Sequence, residues 1–264
     1  MVKVGVIGLG FMGRAHLENY RKHLEVKITA VSDSIAKRLK GDLSGGGNIP
    51  TEKDRFDFTG ISTYEKADEL IADENVDLVD ICLPTYLHAE FAVKALKNSK
   101  HVLCEKPMAA NLEECNSMIE AAEKADRKLM IGQCLRFWPE YEVLKDYVET
   151  GKMGKLVGLF CFRGGGTPVW SAGNWLLQKD KSGGVLLDQH IHDIDTVNFL
   201  LGLPESVSSQ GRNTIEGSGL DIISTNYYYP GGPVVNALLM DGDEEMMLIT
   251  DAGKLVRTRV AEVS

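Results

Sequence analysis

The five cysteines (82, 104, 115, 134 and 161) include no C-x-x-C pair, and their odd number leaves at least one thiol outside any disulfide framework. Several sit in apolar runs such as Val102-Leu103-Cys104, so buried reduced thiols are expected rather than zinc ligands or disulfides. No block of Lys and Arg offsets the acidic surplus. With 29 basic and 38 acidic residues the net charge is -9, which argues against a nucleic-acid partner and against contact with an anionic membrane. No apolar run approaches the roughly 20 residues of a membrane span. The first residues hold one lysine and then a glycine-rich turn, which reads as a strand rather than a signal peptide, so a cytoplasmic protein is expected. Repeats and low-complexity stretches are absent as well. What remains is ordinary for a globular protein: 44% apolar and 25% charged residues over 264 positions, enough for one large core or two modest ones.

Strand and helix patterns alternate through the first half. Residues 2–7 read as a buried strand, 12–23 as a helix opened by a glycine turn, and Ile28 to Ser32 as a second strand. The region 41–60 reads as a loop with a short helix, and 65–73 as an acidic amphipathic helix. Asp77 to Leu83 is a strand stopped by Pro84, His88 to Lys97 a helix, His101 to Cys104 a strand cut at Pro107, 111–126 a helix, and Leu129 to Gly132 a strand. Such alternation requires crossovers and a mostly parallel sheet. Past about residue 150 the character changes. Lys155 to Arg163 alternates as a long strand, 184–201 reads as one helix, and strand-like runs follow near 207–212, 221–229, 234–240, 246–250 and 254–260. The expected architecture is a doubly wound α/β Rossmann domain over 1–125, followed over 126–264 by an α+β domain with an open-faced, mostly antiparallel sheet.

Two places carry chemistry. Gly8-Leu9-Gly10-Phe11-Met12-Gly13 follows the first strand and opens the first helix, and Asp33 stands 20 positions beyond the last glycine. In that context G-x-G-x-x-G is a dinucleotide fingerprint. Gly8 permits the tight turn, Gly10 lets backbone approach the pyrophosphate, and Gly13 lets helix and strand pack closely. The helix N-terminus offers N–H groups and a positive dipole end to the phosphates. Asp33 should accept from the ribose hydroxyls and repel a 2′-phosphate, favouring NAD; Lys37 and Arg38 keep NADP as the second candidate.

The other place is Asp188-Gln189-His190-Ile191-His192. Asp188 and His192 are four residues apart, hence on one face if the segment is helical. Oxidising an alcohol needs a base for the hydroxyl proton as hydride leaves, and imidazole oriented by a carboxylate suits that work near neutral pH. Lys106, in Cys104-Glu105-Lys106-Pro107 at the carboxyl end of a parallel strand, stands at the edge where open α/β sheets bind ligands. A lysine there can hold the substrate oxygen and stabilise its developing charge. His190, His192, Asp193 and Asp195 look metal-like, but His190 and His192 point to different faces of a helix; no metal is expected, and His190 and Asp195 read as structural polar groups. His16, His23 and His101 carry no pattern.

Together these residues resemble the Gfo/Idh/MocA family, named for glucose–fructose oxidoreductase and inositol dehydrogenase. The resemblance runs from Lys3 to about Gly202 through the glycine fingerprint, Cys82-Leu83-Pro84-Thr85-Tyr86-Leu87-His88-Ala89-Glu90, Val102 to Ala109, Asn174-Trp175, Ser182 to Asp188, and His192-Asp193-Ile194-Asp195. It implies a Lys106–Asp188–His192 triad, with Leu83, Pro84, Thr85, His88, Glu105 and Lys106 at the nicotinamide end of the cofactor. It also implies that Gln133, Arg136, Arg163, Asn174 and Trp175 face the substrate, a polyol, cyclitol or sugar. A homo-oligomer, dimer or tetramer, built through the C-terminal sheet is a further implication. Two departures stand out. Thr85 replaces a common Asn, and the 72 residues after His192 are fewer than the family's usual complement, so a shortened substrate sheet is expected. The competing readings are an NAD-dependent glycoside hydrolase, which oxidises, eliminates and re-reduces, and a non-catalytic cofactor-binding or regulatory relative.

Overall fold

The computed structural model describes residues 1–45, 47, 54–239 and 245–259. Contacts divide the chain into two units: Met1–Gly132 with Trp170–Trp175, and Gln133–Val169 with Leu176–Ser264.

The first unit is built on six parallel strands: β1 (Val2–Ile7), β2 (Val26–Ser32), β3 (Ser62–Tyr64), β4 (Leu78–Ile81), β5 (His101–Cys104) and β6 (Leu129–Ile131). Their order is β3-β2-β1-β4-β5-β6, so the direction of winding reverses between β1 and β4. The central strands are covered on both faces, which is why they read as continuous apolar runs rather than alternating ones. On one face, α3 (Ala67–Ala72), α4 (His88–Lys97) and α5 (Leu112–Ala125) bury Leu70, Ala92, Leu96 and Met118 against Val79, Ile81 and Val102. On the other, Leu17 of α1 (Phe11–Tyr20) meets Val4, Val6 and Val31, with Leu43 and Phe56 beside them. A short α2 spans Ala36–Leu39.

Three local differences from the sequence reading have physical causes. β3 is too short and too exposed to give a pattern, and it is recognised only by its pairing with β2. β6 pairs with β5, so the first unit extends past the expected boundary at residue 125. Part of the expected 41–60 loop lies outside the described residues; the rest contains an isolated bridge between Asp42 and Arg55.

The second unit holds a sheet ordered β12-β11-β7-β10-β9-β8. Its strands are β7 (Leu156–Arg163), β8 (Ser206–Arg212), β9 (Ile222–Tyr228), β10 (Val234–Leu239), β11 (Glu245–Thr250) and β12 (Leu255–Arg259). Four neighbouring pairs are antiparallel, and one, β10 with β7, is parallel. One face carries the core, where Tyr141 and Leu144 of α6 (Pro139–Thr150) and Val197 and Leu200 of α9 (His190–Leu201) pack on Leu159, Tyr227, Val235 and Leu248. Every side chain of β8 is exposed. The short helices α7 (Lys179–Ser182) and α8 (Gly184–Asp188) lead into α9. The sequence stretch Asp241-Gly242-Asp243-Glu244 lies outside the described residues.

Candidate cofactor and substrate sites

The three glycines of the β1–α1 turn do different work. Gly8 has φ +90°, and a Cβ there would lie 2.5 Å from the Cys82 carbonyl oxygen. A Cβ on Gly13 would lie 1.9 Å from the Gly8 carbonyl oxygen. Both positions exclude a side chain because backbone already fills the space. Gly10 is the opposite case: its nearest neighbour is Arg38 Nη1 at 3.9 Å, and its backbone is extended. A side chain at Gly10 would occupy open space above the first turn of α1, the space a pyrophosphate needs to reach the N–H groups of that turn. The turn therefore fits a dinucleotide.

Asp33, at the end of β2, is buried. Its Oδ2 accepts from the Leu9 N–H at 2.7 Å and from Arg38 Nη1 at 3.0 Å, and its Oδ1 accepts from the Ile35 N–H at 2.8 Å. A carboxylate has about four lone-pair sites, so three are engaged and one remains for a ribose hydroxyl. Arg38 also offsets the negative charge that a 2′-phosphate would meet. The residue sequence reasoning assigned to the ribose thus also clamps the glycine turn.

Leu83, Pro84 and Thr85 follow β4, and Thr85 opens a single 3-10 turn, Thr85–Leu87, that leads into α4. Thr85 and His88 are each 1% exposed. His88 Nδ1 lies 2.7 Å from the Pro107 carbonyl oxygen and Nε2 lies 2.8 Å from that of Leu83. Both ring nitrogens therefore face backbone carbonyls, and a neutral ring can donate to only one of them at a time. Glu105 Oε1 lies 3.0 Å from His16 Nε2, and its Oε2 accepts from the Lys106 N–H at 3.1 Å. Phe11 and Met12 begin α1, and the Phe11 ring meets Trp170 edge-on at 5.4 Å. Asn174 and Trp175 belong to the first unit by contact; they lie in the Ala172–Leu177 turn, kinked where Gly173 and Asn174 take left-handed conformations.

Beneath the glycine turn is a cluster that sequence reasoning missed. Asp80, wholly buried in β4, accepts from Tyr20 Oη at 2.9 Å and pairs with His16 Nδ1 at 2.8 Å. His16 thus bridges two carboxylates, Asp80 and Glu105. Burial alone would lower its pKa, but neighbouring Cys82 and Asp80 outweigh burial and hold it well above the ordinary histidine value. Burial and Asp80 push the Cys82 thiol up to about 12. Among the described residues, His16, Asp80 and Cys82 are also the His/Cys/carboxylate group close enough to share an ion. Their hydrogen bonds describe an imidazolium between carboxylates beside a protonated thiol, a poor donor set for a cation.

In the second unit, Asp188 ends α8 and His192 lies in the first turn of α9. The single helix expected over 184–201 is divided at Gln189, although its backbone stays in the right-handed region at φ -110° and ψ -48°. The acids that made 190–195 look metal-like have arginine partners. Arg136 grips Asp195 through two bonds of 2.7 and 2.6 Å, and Arg163 donates to Asp193 Oδ1 from Nε and Nη2 at 3.3 and 3.2 Å. His190 reaches Thr225 Oγ1 at 2.8 Å and Asp193 Oδ2 at 3.4 Å. Arg136 and Arg163, expected at the substrate, each give two N–H groups to an acid of α9. Gln133 is the first residue of this unit and precedes the Cys134–Phe137 turn.

A six-stranded parallel sheet with a glycine turn at the first strand defines the first unit as a dinucleotide-binding domain. A family model described as an oxidoreductase family with an NAD-binding Rossmann fold matches residues 2–133, and the family's C-terminal domain matches 141–238. The chain belongs to the Gfo/Idh/MocA oxidoreductase family. It is 31% identical over 88% of its length to 2,7-anhydro-N-acetylneuraminate hydratase of Escherichia coli, covering 60% of that protein. It is 36% identical over 76% of its length to myo-inositol 2-dehydrogenase of Thermotoga maritima, covering 55% of it. The chain thus spans little more than half the length of these curated relatives. A crystal structure of a probable dehydrogenase from Thermotoga maritima superposes with TM-score 0.82 at 28% identity, covering 98% of this chain and 75% of that one. Among the described residues no helix is long and apolar enough to cross a membrane.

Proposed function

We propose that this protein moves a hydride between a nicotinamide cofactor and a hydroxyl-bearing carbon of a small polyol, cyclitol or sugar. The observation that carries the reading is the glycine turn with its open cradle at Gly10 and Asp33 beside it. The bound cofactor supplies the hydride acceptor, NAD in preference to NADP. The remaining work falls to this chain's side chains. His192 takes the hydroxyl proton as the hydride leaves, Asp188 orients that imidazole and stabilises its cation, and Lys106 holds the substrate oxygen and its developing charge. Thr85 and Glu105 line the nicotinamide end, while Gln133, Arg136, Arg163, Asn174 and Trp175 are the substrate-facing candidates. Screening polyols and sugars with NAD, and following the reduced cofactor by absorbance, tests the reading; no turnover across the panel in a protein that binds NAD would refute it.

A second reading is favoured by the hydratase relative. The same residues would serve a redox-neutral reaction, of the kind an NAD-dependent glycoside hydrolase performs, if the reduced cofactor returned its hydride within one turnover. Product formed without accumulation of reduced cofactor would establish that case. Tyr228 and Val234, on the face of the second unit's sheet opposite the core residues Tyr227 and Val235, are 49 and 67% exposed, which supports assembly of a homo-oligomer through that sheet. A monomer by sedimentation would refute it.

A further inference from the structure

We infer that His16 and His88 are positioning residues that grip the Glu105-Lys106-Pro107 segment from two sides and so fix where Lys106 stands at the sheet edge. The inference rests on the reading of Lys106 as the group that holds the substrate oxygen. Lys106 follows β5 at the carboxyl edge of the sheet, one residue past the ladder bond from the Glu105 N–H to the Ile81 carbonyl oxygen at 3.0 Å. Beyond that bond, its two neighbours are held by side chains. On the N-terminal side, the Glu105 carboxylate meets His16 Nε2 at 3.0 Å, and its other oxygen accepts from the Lys106 N–H itself. On the C-terminal side, the Pro107 carbonyl oxygen lies 2.7 Å from His88 Nδ1.

Each histidine is in turn anchored in another element. His16 belongs to α1, and its Nδ1 is held at 2.8 Å by Asp80 of β4, which also binds Tyr20 of the same helix. His88 begins α4, and its Nε2 lies 2.8 Å from the Leu83 carbonyl oxygen in the loop after β4. Gly132 completes the enclosure: a Cβ there would lie 3.4 Å from Glu105 Oε1. The helix that opens on the glycine turn is therefore tied through one imidazole to the residue before Lys106.

The protons follow from the partners. His16 faces two carboxylates, so a charged ring donating from both nitrogens satisfies both. Its other close neighbours are the Cys82 thiol and the Tyr20 hydroxyl, neither of which competes for the charge. His88 faces two carbonyls, which only accept. A neutral ring donates to one at a time, and a protonated ring to both. Burial pushes the His88 pKa below its usual value against the pull of these carbonyls and of Glu105, while Lys106 adds to the lowering. Burial would raise the Glu105 carboxyl, but the hydrogen bond and charge of His16, with Lys106 beside it, hold it below the ordinary range.

Lys106 can be read directly, without turnover. Acetic anhydride labelling followed by mass spectrometry reports its reactivity in wild type, His16→Gln, Asp80→Asn and His88→Gln. The grip requires a several-fold change at Lys106 in each folded variant, with Lys3, on the far end of β1, unchanged. On the screened substrate, kcat should fall about tenfold to hundredfold, the cost of a small misplacement, while NADH affinity measured by fluorescence stays within about twofold. Asp80→Asn removes the anchor of His16 at a site remote from cofactor and substrate, and stands in if His16→Gln does not fold. Unchanged Lys106 reactivity in the folded variants would overturn the inference. Full turnover in Lys106→Ala would instead refute the role given to Lys106.

Discussion

Replacing Gly10 with alanine separates binding from folding more cleanly than any other change in the turn. The added methyl meets nothing nearer than 3.9 Å, and the extended backbone there suits alanine. Alanine is a poorer N-cap than glycine by roughly 0.5–1 kcal/mol, but it restricts the unfolded chain by about 0.4–1 kcal/mol in the opposite sense. The two nearly cancel, so thermal stability without cofactor should be unchanged within error. A bound pyrophosphate needs the same space, so NAD affinity should drop at least tenfold, about 1.4 kcal/mol. Gly13→Ala makes the control. Its methyl would lie 1.9 Å from the Gly8 carbonyl oxygen, so the fold itself should lose stability before any ligand is added. Calorimetric titration of NAD and a thermal melt, run on both variants, decide the matter. A Gly10→Ala protein that binds NAD as wild type does would refute the assignment of the open cradle to the pyrophosphate.

Four other outcomes are expected. NAD should bind more tightly than NADP, and Arg38→Ala should widen the gap by exposing the Asp33 charge; tighter NADP binding to wild type, by calorimetry, would contradict this. His192→Ala and Lys106→Ala should each lower turnover by about 10²–10⁴-fold, with NAD affinity little changed for His192; near-wild-type turnover of His192→Ala would remove it from the mechanism. Asp193→Ala leaves Arg163 buried without its partner carboxylate and should cost about 3–5 kcal/mol in denaturant unfolding; a loss under about 1 kcal/mol would show the pair to be as weak as a surface one. The folded pKa of His16 lies above its unfolded value near 6.5, so its contribution is full below that pH and fades as pH rises through the folded value. The alkaline side of the melting profile should therefore fall in wild type and flatten in His16→Gln, and identical slopes would show that His16 binds no extra proton in the folded state.

The parallel sheet was legible because each of its longer strands is buried on both faces and each helix is amphipathic, so the period changes mark the element ends. β3 left no such mark, because three residues cannot show a period and their neighbours in space come from β2. α6 carries a clear one that the reading of the sequence did not use: Pro139 stands at its first turn and Gly151 takes a left-handed conformation just past its end. This is the asymmetry expected of a helix. The interruption at Gln189 lies beyond sequence reasoning, since the apolar period of 184–201 continues through it.

For the candidate site, sequence motifs located the positions and partners set their roles. Gly8, Gly10 and Gly13 look alike in a motif, yet two leave room for backbone and one for a ligand, a distinction made by the carbonyls of Cys82 and Gly8. Arg136 and Arg163, expected at the substrate, each also hold an acid of α9, a pairing no motif shows. His16 showed no motif, but a signal was present. Asp80 interrupts an apolar strand, and a buried carboxylate needs a cation or donors nearby. His16 and Tyr20, four apart on one face of the helix that follows the neighbouring strand, are such donors. An acid inside a core strand therefore works as a pointer. It shows that some helix packed on that strand carries a polar face inward, and here that face ends beside the segment that holds Lys106.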